Sequence, residues 1–123
     1  MTDATPNPLG PGVLPAGVQR ASASVITDGL DPKLFAFLTP LGLVALHLFD
    51  QPVTITSAKD ALHGVGSKHY TGHAVDLRTR DMRLEWQSTF LLVLTVLADR
   101  FGLTVFDERN LPGEPHIHVE TAG

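Results

Sequence analysis

The residues of this chain best suited to chemistry fall in two short stretches. "GSKHYTGHAVDLRTR", residues 66–80, holds His69, His73 and Asp76, and "PHIHVE", residues 115–120, holds His116 and His118. The chain has no cysteine. Any metal must therefore be held by nitrogen and oxygen donors, and no thiolate is available as a nucleophile. Imidazole and carboxylate together suit zinc, whose sites are tetrahedral, with ligand bonds of about 2.0–2.2 Å. Three protein ligands and a water would leave such a site open for catalysis.

Side chains alternate along a strand. In "HAVDLR", Ala74, Asp76 and Arg78 share one face, and His73, Val75 and Leu77 the other. In "EPHIHVE", Glu114, His116, His118 and Glu120 share a face, while Pro115, Ile117 and Val119 form an apolar face suited to the core. Two strands side by side would bring Asp76 to the two histidines. His69 precedes Asp76 by seven residues, roughly 23 Å of straight strand. It can join them only if the chain turns, and Gly72 supplies the turn.

The elements that must position these groups read as an α+β unit. "DPKLFAFL" and "TPLGLVALHLF" each open with a capping residue and a proline, which predicts two short consecutive helices. The β-branched alternation of Val53–Thr56 predicts a strand, and "HAVDL" a second. Apolar residues recur at helical spacing from Met82 to Phe101, with Gly102 as a stop, predicting the longest helix. "LTVFDE" and "HIHVE" read as two final strands joined by the turn-rich "RNLPGEP". Residues 1–19, with four prolines and three glycines, read as an extended arm that could dock on a protein partner, a virion subunit or another copy of the chain. Residues 20–123 form the domain.

Composition narrows the function classes. A chain of 123 residues with 43% hydrophobic and 18% charged residues is one globular domain. A net charge of -4 without a basic cluster argues against nucleic acid as a partner. The longest apolar runs are too short for a membrane span, and the first residues lack a secretory signal, so the expectation is a soluble protein made in the cytoplasm.

Ser67, His69, Gly72, Ala74 and Asp76 fit the pattern S-x-H-x-x-G-x-A-x-D, and His116 with His118 fits a later H-x-H. In this the chain resembles the zinc peptidases that include D-alanyl-D-alanine carboxypeptidases, vancomycin-resistance D,D-dipeptidases and phage L-alanyl-D-glutamate endopeptidases. Their fold is shared with the signalling domain of hedgehog proteins. The resemblance spans Val53 to Glu120 and implies a small antiparallel sheet packed against helices. It implies one zinc ion held by His69, Asp76 and His118, with His116 beside the metal and Ser67 touching substrate. Relatives carry an acidic base three residues before the final ligand, where this chain has Pro115, and an arginine on the first strand, for which Lys59 stands nearby. His116 ranks first for handling the proton or stabilising the transition state, Glu114 second, and the pair Asp107 and Glu108 third. Arg78 and Arg80 could steer an anionic peptide, and Glu120 could hydrogen-bond a ligand histidine. The implied reaction is hydrolysis of a peptide bond in peptidoglycan stem or cross-bridge peptides by a phage or prophage product, released at lysis or carried in a virion. A zinc-stabilised structural or interaction module with reduced turnover is the alternative.

Overall fold

The computed structural model describes residues 13–27, 29–58 and 72–121. Two helices and a five-stranded sheet alternate in the order β1 (Val18–Arg20), α1 (Pro32–Leu48), β2 (Val53–Ser57), β3 (Ala74–Arg78), α2 (Leu84–Arg100), β4 (Thr104–Asp107) and β5 (His116–Glu120). The strands lie in the order β1-β2-β3-β5-β4. β1 runs parallel to β2, and every other neighbouring pair is antiparallel. The architecture is α+β, as the sequence pattern implies.

One face of the sheet makes the core. Ile55, Val75, Leu77, Ile117 and Val119 have no exposed surface and join one cluster with Leu34, Phe37, Leu38 and Leu41 of α1 and Phe90, Leu94 and Ala98 of α2. Each large aliphatic side chain so buried contributes about 1.5–3 kcal/mol. The alternation that hides Ile117 and Val119 therefore fixes the register of β5. A one-residue slip would turn both into solvent and the histidines into the core.

The structure departs from the sequence reading in both helices and at the end of the arm. The two short helices are one, running through Pro40. A proline in a helix interior costs about 3 kcal/mol. Here the apolar stripe of Leu34, Phe37, Leu38, Leu41 and Ala45 passes the proline without interruption. Burial along that stripe outweighs the lost hydrogen bond. Asp31 caps the start, accepting from the Lys33 N–H at 2.8 Å. In addition, Val18 and Gln19, read from composition as the end of an arm, belong to strand β1. Val18 is buried, and the Val53 N–H donates to the Gly17 carbonyl at 2.8 Å. Gly17, at φ +82°, and Gly42 of α1 approach so closely that a Cβ on either would overlap the other segment's backbone. That contact seats β1 against α1.

α2, expected to be the longest helix, starts at Leu84 rather than Met82 and has 17 residues like α1, which gains its length by running on through Pro40. α2 has no side-chain cap of its own. Gln87 holds the approach instead, donating to the carbonyls of Thr79 at 3.1 Å and Met82 at 3.0 Å. No helix among the described residues is long and apolar enough to cross a membrane.

Candidate metal centre

β3 and β5 place Asp76 opposite His118, Arg78 opposite His116 and Ala74 opposite Glu120. Directly opposed residues point to the same side of a sheet. Asp76, His116, His118 and Glu120 therefore gather on the face turned away from the buried Val75, Leu77, Ile117 and Val119. The His118 Nδ1 lies 3.0 Å from the Asp76 Oδ1, and its Nε2 lies 2.8 Å from the Glu120 Oε1. Asp76 is buried, at 6% exposure.

β4 completes the cluster from the other side of β5. Phe106 pairs with His118, their rings 5.8 Å apart, and fills the space beside the imidazole. Glu108 follows one residue beyond the end of β4, its N–H donating to the His116 carbonyl at 3.2 Å. Its Oε1 lies 2.7 Å from the His116 Nε2, which is itself 3.8 Å from the Asp76 Oδ1. One ligand-capable atom each from Asp76, Glu108 and His118 falls within 4.8 Å of the others. Tetrahedral zinc spaces its donors roughly 3.3–3.6 Å apart, so the three side chains need little movement to meet on one ion. One imidazole and two carboxylates also match the donor chemistry of a divalent cation. The group could hold a metal ion.

Electrostatics bear on both histidines. Burial opposes the charged form of His118, but its hydrogen bonds to Asp76 and Glu120 and the charges of Asp76 and Glu108 outweigh it, and the pKa is raised. For His116, burial is likewise overcome by the Glu114 carbonyl, Asp76 and Glu108, and its pKa is also raised. The Glu114 carbonyl, 2.9 Å from the His116 Nδ1, can only accept, so that nitrogen carries a proton.

The remaining sequence candidates are distributed as follows. Lys59, Ser67 and His69 lie outside the described residues. The Glu114 carboxylate pairs with Arg80 at 3.0 Å rather than with any member of the cluster. Arg78 shares the cluster's face through its register, and its guanidinium binds Asp81 at 2.7 Å. Of the acidic pair at the end of β4, only Glu108 joins the cluster. Asp107 faces the opposite way, opposed to Ile117, and Arg109 grips its carboxyl through two bonds that hold its pKa low. His73 pairs with Asp31 at 3.5 Å.

Gly72, expected to turn the chain before β3, has φ +81°, and a Cβ there would strike the Gly29 carbonyl. Its own carbonyl accepts from Asp31 at 2.9 Å. Sequence spacing ranks Glu108 behind Glu114, although alternation along "TVFDE" puts Thr104, Phe106 and Glu108 on one face. The missing information was which strand β4 lies beside. The chain matches no family model, and no curated protein matches it.

Proposed function

We propose that this chain is a zinc-dependent peptidase of the hedgehog/DD-peptidase fold, acting on a peptide bond of peptidoglycan stem or cross-bridge peptides and encoded by a phage or prophage. The observation that carries the reading is the convergence of Asp76, Glu108 and His118 within 4.8 Å on one sheet face. Two of these three are ligands that the sequence resemblance implies. In this reading Asp76 and His118 hold the ion together with His69.

Bound there, zinc supplies the Lewis acidity that polarises a peptide carbonyl and activates water near neutral pH. The chain's own residues set the stage. Glu120 orients His118 through Nε2 and leaves Nδ1 facing Asp76. His116, protonated at Nδ1 and bound to Glu108 through Nε2, offers positive charge next to the cluster, where a developing oxyanion would be stabilised. Ser67, Lys59 and Arg78 serve as substrate contacts in this reading.

A second reading is a zinc-stabilised interaction module with little turnover, such as a virion component. It is favoured by the pairing of Glu114 with Arg80, which occupies the acidic group nearest in sequence to the position of the usual base. Zinc content of purified wild-type protein and of His118→Ala, followed by assay of both on defined muropeptides, separates the readings. Stoichiometric zinc with cleavage, both lost in the variant, supports the peptidase. Zinc without cleavage supports the module, and no zinc in the wild type defeats both.

A further inference from the structure

The outer surface of the helical layer is as apolar as the cluster is charged. Within α1 the only Lys, Arg, Asp or Glu is Lys33, and within α2 only Glu85, Asp99 and Arg100 are charged. On the side where they meet, the two helices expose Leu48 at 64%, Leu92 at 65% and Val96 at 58%. Val44 of α1 and Leu92, Val93, Val96, Leu97 and Arg100 of α2 line a groove of about 460 Å³. A surface two helices wide without a charge in its middle is unusual for a monomer and marks a protein-binding face.

The sequence of α2 indicates what binds there. On its outward face Glu85, Thr89, Leu92, Val96 and Arg100 follow one another at steps of three and four residues, so they form one stripe. The stripe is acidic at one end, basic at the other and apolar between. Its midpoint falls between Leu92 and Val93. A second α2 laid antiparallel about that midpoint sets each Arg100 beside the other helix's Glu85, each Val96 beside Thr89, and Leu92 beside Val93. The two charges are fifteen residues apart, about 22 Å along the axis, which is the span such a pairing needs to join both ends. We infer that the chain forms an isologous dimer through this face, with α2 packed antiparallel on the α2 of a second copy and the Val44–Leu97 groove receiving the partner's apolar side chains. A two-fold axis makes every contact twice, so one self-complementary stripe is sufficient. Leu48 of α1, which lines a second hollow with Thr89 of α2, widens the contact toward the roughly 800 Å² per partner of a stable interface.

The test is sedimentation equilibrium of the full chain, with circular dichroism as the check on folding. Wild-type protein is expected to be a dimer, and Leu92→Glu a folded monomer. Glu85→Arg alone and Arg100→Glu alone should each weaken the dimer by about tenfold in Kd, and the two together should restore it to within about threefold of wild type. Glu85 and Arg100 are exposed, so the charge variants read the interface without touching the core. A monomeric wild type overturns the inference, as does a dimer indifferent to Leu92→Glu or a double charge reversal that fails to rescue. A monomer that captures a different protein through this face overturns it equally.

Discussion

Asp76 and His118 stand directly opposite each other on β3 and β5, with 3.0 Å between carboxylate oxygen and imidazole nitrogen. The strand pairing that brings them together also joins the two sequence stretches that carry the chemistry. Replacing Asp76 by Ala removes the carboxylate common to both histidine contacts. The expected outcome is loss of metal binding by at least about 100-fold, measured by competition with a chelator, with any hydrolytic activity lost in parallel.

Glu108 should prove part of the same centre. Glu108→Gln keeps the shape of the side chain and removes its charge. Metal affinity is expected to fall by about 10–100-fold, while Glu114→Gln, whose carboxylate is bound to Arg80, should change it by less than about threefold. Calorimetric titration of both variants with zinc measures the contrast. Equal affinities in the two would remove Glu108 from the site.

Both cluster histidines have raised pKa values, which gives the metal-free protein a defined pH dependence. Above about pH 6.5 the unfolded chain has released protons from these rings that the folded chain still binds. Their stabilising contribution is therefore fully present below about pH 6.5 and is lost as pH rises through the raised values. In the presence of a chelator, the melting temperature should fall on going from slightly acidic to alkaline pH, and His118→Gln should flatten that slope. Metal affinity should run the other way, rising with pH, because a ligating Nδ1 must first give up its proton.

The Gly17–Gly42 contact predicts a stability effect remote from the cluster. Gly17→Ala places a Cβ against the Gly42 carbonyl and forces a non-glycine residue to φ +82°. A loss of about 2–4 kcal/mol is expected by urea denaturation, with metal affinity unchanged in the protein that remains folded.

How far the fold could be read from sequence depended on how local its causes are. The strands β2, β3 and β5 and the helix α2 announce themselves through alternation or helical spacing, because burial of one face repeats every two residues or every three to four. The same alternation places Asp76 and His118 on chemically consistent faces. The union of two helices across Pro40 was not legible, since the stripe from Leu34 to Ala45 has its energetic effect only against a sheet whose position the chain does not spell out. Nor was β1, three residues whose composition suits a linker but whose backbone is captured by β2. Spacing places Glu108 below Glu114, whereas strand order decides which acidic side chain reaches the histidines.

The sheet order has a consequence for how the cluster opens. β3 and β5 each have a hydrogen-bonded strand on both sides, while β4 has β5 alone and lies at the margin. Backbone amides of Asp76 and His118 should thus exchange with deuterium only through near-global unfolding, whereas those of β4 can exchange by peeling of a four-residue margin. Glu108 hangs from that margin, so an interior pair of strands and an edge strand of the sheet share one set of side chains. An ion that ties them together would slow exchange in β4 far more than in β3.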